Sequence, residues 1–172
     1  MSKIIFKQFF SFLLLLVFQA FILNKVCLWG MITPLVYMVF IFSLPFDTPK
    51  WLVVLLGFFC GFFVDIFCGV IGYHALATLV MAFCRAGTIY LIPIRGEREE
   101  YQLPILYDMK FGWYVRYAFC LIFIHHGVYY FADVLSFQNL YKLIFVVLAN
   151  TVCSLIGVLL VQVLFYRASK RY

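Results

Sequence analysis

Asp65 and His74 form the pair of residues most able to do chemistry in an otherwise apolar sequence. Asp65 ends the run GFFCGFFVD, and His74 follows a glycine-containing turn at 69–72. A carboxylate inside an apolar helix is costly unless it faces protein, water or a partner. We therefore predict a hydrogen bond between Asp65 and His74 across that turn. The alternative, held open at equal weight, is that Asp65 accepts hydrogen bonds from backbone N–H groups of the turn. Proton transfer ranks below both.

Arg85 is the second charge in apolar surroundings. Counted along a helix, it lies about 20 Å deeper than the turn that contains Gly72, which is too far to pair with Asp65. We expect its guanidinium either to extend toward the cytoplasmic headgroups or to bond exposed carbonyl groups. A structural, anchoring role follows from both interpretations.

The other polar residues predict packing instead of catalysis. His125 and His126 are adjacent and point about 100° apart on a helix, so they cannot readily hold one metal ion. We expect one imidazole to pack between helices and the other to approach the outer interface, and Asn150 to bond across helices. No catalytic motif occurs, so we predict no enzyme activity, no cofactor and no metal. We interpret the six cysteines as small core residues, with a zinc or disulfide site as the minority interpretation: Cys27, Cys60, Cys68, Cys84, Cys120 and Cys153.

The composition predicts an all-α integral membrane protein. Of 172 residues, 67% are hydrophobic and 12% are charged, far from the roughly quarter charged in a soluble domain. A soluble enzyme is therefore excluded. The net charge of +6 could suggest nucleic acid in a soluble protein, but here membrane orientation explains it, and we predict no nucleic-acid partner.

Apolar runs of about 20 residues define six spans within one transmembrane domain, residues 1–172. The stretch 51–94 would measure about 66 Å as one helix, so it must fold back at 69–72. The basic N-terminus precedes an apolar run without an A-x-A-like cleavage site, and we keep it as an uncleaved first helix. The predicted six-helix transmembrane bundle has a cytoplasmic loop at 95–113 and spans at about 9–26, 29–45, 51–68, 73–94, 114–134 and 141–166.

The distribution of Lys and Arg predicts the orientation of these spans. With the N-terminus inside, ten of them fall on the inner side, two fall on the outer side and Arg85 lies within a span. Because cytoplasmic loops collect basic residues, both termini are predicted to be cytoplasmic, with the inner loops facing membrane lipid or a cytoplasmic partner.

Small residues recur every four positions in the third span. Gly57, Gly61, Asp65 and Gly69 share one stripe of a helix, which lets another helix approach closely. We favour packing inside the protein over a partner interface, since G-x-x-x-G patterns are common in spans.

The region from about residue 30 to 90 resembles the signature region of the MreD family. The resemblance rests on Pro34, on the Leu44-Pro45 pair and on the His74-Ala75-Leu76 sequence. It also rests on four glycines and one acidic residue: Gly57, Gly61, Asp65, Gly69 and Gly72. One departure is that the last two glycines are three apart, where the family pattern often has four.

The resemblance implies a multi-pass protein of the bacterial cytoplasmic (inner) membrane. Such a protein would be a non-enzymatic scaffold of the elongation (rod) complex, supporting cell shape and lateral peptidoglycan synthesis through contact with MreC. Through MreC it would work with MreB, RodA and a class B penicillin-binding protein. The implied fold is similar to that of the S-components of energy-coupling-factor transporters. That similarity gives the alternative function, a substrate-capture subunit of a vitamin transporter, although only Ala20 stands where an A-x-x-x-A docking pattern would be expected. A channel subunit, which would need a line of polar residues, is a third interpretation.

Overall fold

The computed structural model describes residues 2–27, 31–70, 72–94, 103–134 and 140–166. Within these ranges the chain is helical, with short turns and extended connections and no extended strand. A 3₁₀ turn at Leu23–Lys25 follows the first helix, and a π-helical turn at Gln162–Tyr166 continues the last one. The α-helices are α1 (Ser2–Phe21), α2 (Val39–Phe42), α3 (Lys50–Cys68), α4 (Tyr73–Leu91), α5 (Phe111–Val134) and α6 (Leu140–Val161).

The long helices pack in sequence order. α3 packs against α4, α4 against α5, and α5 against α6, while α1 lies beside α3. The turn end of the bundle is the end that holds residues 69–72, where α3 ends and α4 begins. At the opposite end, the Trp113 indole N–H donates to the Ile92 carbonyl at 3.1 Å and joins the end of α4 to the start of α5.

Among the residues that the structure describes, three helices are long and apolar enough to cross a membrane: Lys50–Cys68, Tyr73–Leu91 and Leu140–Leu164. A shorter apolar helix covers Leu13–Lys25. The prediction of an all-α protein is confirmed for the described residues, and these three helices are compatible with the predicted membrane protein. The side of α3 that faces away from the bundle carries six apolar side chains that are 38–58% exposed: Phe58, Phe59, Phe62, Phe63, Ile66 and Phe67. We call this surface the aromatic face of α3.

The helix predicted at 29–45 is wrong for the described part of that range. The chain is extended around Pro34 and forms only the four-residue helix α2 before it turns at Pro45. Proline has no backbone N–H and disfavours helical geometry in the residue before it, so the two prolines confine any helix to the space between them. We call residues 33–44 the buried segment, because residues 35–44 are all buried.

The buried segment runs through the bundle from the turn end to the opposite end. Near its start, Tyr37 bonds Thr78 in the first half of α4. At its far end, the Leu44 carbonyl accepts a hydrogen bond from Arg85, further along α4. The other helix bounds also differ from the predicted spans, since α1 begins at Ser2 and α5 at Phe111. Residues 95–102 of the predicted loop lie outside the described residues.

Candidate functional site

Asp65 and His74 meet inside the bundle, directly below the turn between α3 and α4. The Asp65 carboxylate is 2% exposed. Its Oδ1 lies 2.9 Å from His74 Nδ1 and accepts the His74 backbone N–H at 2.9 Å, while Oδ2 accepts the Ala75 N–H at 2.9 Å. The predicted side-chain hydrogen bond is confirmed. The alternative, that Asp65 accepts hydrogen bonds from backbone N–H groups, is also correct. These N–H groups, however, belong to the first turn of α4, whereas the alternative placed them in the glycine-containing turn before it.

The tight turn between α3 and α4 depends on two glycines. Gly69 has φ 68° and Gly72 has φ 83°, both in the left-handed region that favours glycine. The Gly69 and Val70 N–H groups both donate to the Asp65 carbonyl, which closes the end of α3. The predicted fold-back point is confirmed, and the same residue caps the end of one helix and the start of the next.

Gly57 and Gly61 allow α3 and α4 to touch. A Cβ at Gly57 would lie 2.7 Å from the Ala82 Cβ, and one at Gly61 would lie 2.6 Å from the Ala75 Cα and overlap the His74 carbonyl. The glycine stripe therefore faces the neighbouring helix, as the internal-packing interpretation predicts, and it is closed to an outside partner.

A buried chain of hydrogen bonds extends from His74 to α5. The Thr78 hydroxyl donates to the His74 carbonyl at 2.7 Å, and the Tyr37 hydroxyl lies 2.8 Å from that of Thr78. The Tyr37 hydroxyl also lies 2.7 Å from His125 Nε2. This network, with Asp65, links α3, α4, α5 and the buried segment. Low solvent access strengthens such bonds and makes any unpaired member costly.

His126 belongs to a second buried pair. Its Nε2 lies 3.0 Å from the Ser154 hydroxyl on α6, and the same hydroxyl oxygen accepts the Leu35 N–H at 2.9 Å. The expectation that one of the adjacent histidines approaches the outer interface is wrong, because His125 is 0% and His126 1% exposed. Residues of the described ranges form no cluster able to hold a metal ion.

Polar side chains from α1 and α6 satisfy the non-helical backbone at the start of the buried segment. Gln19 accepts the Val36 N–H at 2.8 Å and donates to the Pro34 carbonyl at 3.2 Å. Asn150 accepts the Thr33 N–H at 2.9 Å and donates to the Met31 carbonyl at 3.0 Å. In the interior of a membrane protein, non-helical backbone is tolerated only where other protein groups form hydrogen bonds with it. Asn150 bonds across elements as predicted.

Arg85 performs the same task at the other end of the buried segment. Its guanidinium donates to the Leu44 and Pro45 carbonyls, and its Nε–H donates to the Tyr117 hydroxyl at 3.0 Å. Tyr117 in turn donates to the Phe42 carbonyl at 3.2 Å. Arg85 is 3% exposed, so the carbonyl-bonding interpretation is confirmed and the headgroup interpretation is wrong.

Sequence reasoning missed several members of this arrangement, including Gln19, Tyr37, Ser154 and Gln162. Gln162 donates to the Ser43 hydroxyl at 3.1 Å and so also supports the buried segment. The signal in the sequence that could have identified them is the type of side chain, because amide and hydroxyl groups within apolar helices form hydrogen bonds to neighbouring helices. That they would meet around the buried segment could not be inferred, because this part of the chain was predicted to be a helix whose backbone groups bond to one another.

A cleft of about 270 Å³ opens at the turn end, beside the Asp65–His74 pair. We call it the turn-end cleft. Its walls come from the 3₁₀ turn after α1, the start of the buried segment, the end of α3, the start of α4 and the end of α5. Among its lining residues are Asn24, Cys68, His74, Tyr129, Tyr130 and Asp133.

Comparison with protein-family models, with curated proteins and with solved structures finds no match for this chain.

Proposed function

We propose that the chain is a multi-pass scaffold of a bacterial cytoplasmic membrane, with both termini cytoplasmic, acting in the elongation complex through contact with MreC. The observation that carries this proposal is that the residues of the MreD-like pattern belong to one structural unit. The glycines, Asp65 and His74 build the α3–α4 hairpin, and Pro34 and Pro45 bracket the buried segment packed against it. A pattern whose residues cooperate in one place is more informative than the same residues scattered over a fold.

The bonding of the interior polar groups supports a scaffold over a channel. Arg85, Asn150 and Gln19 are each bonded to backbone groups of the buried segment or of the residues beside it. Side chains that line an ion path must stay available to the ion. These side chains are used to hold the fold together.

We place the contact with the membrane helix of MreC on the aromatic face of α3. The small-residue groove first considered for that contact is closed by α4. The aromatic face presents apolar side chains along the second half of the helix, and helix association in lipid depends on such van der Waals contact. Through MreC the complex would include MreB, RodA and a class B penicillin-binding protein.

The test is a detergent pull-down of the tagged chain from its native membrane, with mass spectrometry of every co-purifying protein. We expect MreC together with cell-wall synthases. The double variant Phe59→Ala/Phe63→Ala should recover at least about tenfold less MreC. The matched control is Phe123→Ala/Phe145→Ala, which removes exposed rings from α5 and α6. Equal recovery by both double variants would show that the aromatic face of α3 is not the MreC contact.

Asp65→Asn tests whether the hairpin serves the complex. Asparagine has one acceptor oxygen where the carboxylate has two, so one of the two backbone bonds that cap α4 is lost, at a cost of about 1–2 kcal/mol. We expect reduced recovery of MreC and loss of rod shape. Asp47→Asn, an exposed acid at the opposite end, is the control. Full complex formation and normal rods with Asp65→Asn would contradict a functional role for this residue.

The alternative function, a substrate-capture subunit of a vitamin transporter, is favoured by one observation, the turn-end cleft. The same pull-down separates the two proposals. Recovery of a pair of ATPases with a coupling membrane subunit, in place of MreC, would support capture of a small molecule.

A further inference from the structure

Two tyrosine rings form a corner in the turn-end cleft. Tyr129 and Tyr130 lie with ring centroids 5.1 Å apart and ring planes at 89°, and the His74 ring lies 4.6 Å from that of Tyr129. A volume of about 270 Å³ is just below the range of about 300–1,000 Å³ found for drug-sized ligands. The cleft is therefore the right size for a ligand of a few heavy atoms beside aromatic walls.

Asp133 gives the cleft its charge. It follows Tyr129 by one turn of α5, lines the same cleft and is exposed. Within the described ranges, no Lys, Arg or His forms an ion pair with Asp133. The ion pair found in these ranges joins His74 to Asp65. A carboxylate next to aromatic faces creates a negative potential, which favours a cation.

Two further polar groups of the cleft already have partners within the protein. The Asn24 amide accepts from Gln19 at 2.8 Å and donates to the Cys68 sulfur at 3.0 Å. The Thr33 N–H donates to Asn150. An anionic ligand would be repelled by the Asp133 carboxylate, so the charge of the cleft selects against anions.

We propose that the turn-end cleft binds a small organic cation, with its ammonium group in the corner formed by the Tyr129 and Tyr130 rings and beside the Asp133 carboxylate. The inference depends on the cleft and holds whether the chain is a scaffold or a capture subunit. For the capture subunit it also specifies the chemical class of the ligand.

The test is calorimetric titration of the purified full chain in lipid nanodiscs with choline, tetramethylammonium and ethanolamine. The uncharged probe is 3,3-dimethylbutan-1-ol, which has the shape of choline without its charge. We expect at least one cation to bind, with choline binding about tenfold more tightly than the uncharged probe if choline is that cation. Because no partner protein takes part, failure of this test is distinct from failure of the pull-down.

Two variants assign the binding to the cleft. Asp133→Asn removes the charge and Tyr130→Leu removes an aromatic face while keeping apolar bulk, so each should weaken cation binding about fivefold to tenfold. Asp47→Asn, at the opposite end, should leave affinity within about twofold. The proposal is overturned if a folded protein binds none of the three cations, if choline binds and the uncharged probe binds equally tightly, or if Asp133→Asn binds the cation like the unaltered chain.

Discussion

Arg85→Met is expected to lower the free energy of unfolding by about 2–4 kcal/mol. Methionine keeps the apolar stem of arginine and has no donors, so the Leu44 carbonyl would be left without a partner in the interior and the Tyr117 hydroxyl would lose a donor, while the Pro45 carbonyl would keep the Thr48 N–H. Each unsatisfied buried group costs about 1–3 kcal/mol, and relief from burying the guanidinium offsets part of the loss. The measurement is unfolding in detergent micelles, followed by circular dichroism.

Arg116→Met is the matched control for this change. Arg116 is exposed on α5 and donates to the Gly112 carbonyl of its own helix. We expect its removal to change stability by less than about 0.5 kcal/mol. If the two variants unfolded alike, Arg85 would not be what holds the end of the buried segment.

Gly61→Ala is expected to cost about 3 kcal/mol or to prevent folding. The added methyl group would overlap the His74 carbonyl and lie 2.6 Å from the Ala75 Cα. These are backbone atoms, which cannot move aside as the end of a flexible side chain can, so α3 and α4 must separate. Separation would also break the hydrogen bonds from Asp65 to the start of α4. The measurement is the same unfolding experiment.

The control for Gly61→Ala is the same substitution at Gly127 in α5, where an added Cβ meets nothing within 4 Å. Alanine is the better helix former, so Gly127→Ala should leave stability unchanged or raise it by up to about 1 kcal/mol. A Gly61→Ala protein as stable as the Gly127→Ala protein would disprove the close approach of α3 and α4.

Local chemistry was enough to predict the α3–α4 hairpin. An apolar run too long for one crossing had to fold back, and two nearby glycines marked where. The depth of Asp65 below that turn then placed it opposite His74. Each of these steps depends on residues close together in sequence, where helix geometry fixes distances.

The buried segment could not be predicted in the same way. Its composition is as apolar as that of the helices around it, so hydropathy alone indicates a span there. What distinguishes it is the bonding of its backbone, which is completed by Gln19, Arg85 and Asn150 from distant parts of the chain. The two prolines marked the ends of any helix, but no local signal reported those remote partners.

The buried segment also constrains how the protein can be made. Its backbone groups pair with Gln19, which is synthesised before it, but also with Asn150 and Ser154, which are synthesised long after it. Gln162, synthesised later still, bonds the Ser43 hydroxyl of the segment. Until α6 joins the bundle, those bonds cannot form, and orphaned peptide groups resist burial. We therefore expect the nascent chain to hold this stretch at the aqueous boundary until α6 has been synthesised, so a ribosome stalled before α6 leaves a product open to proteolytic quality control.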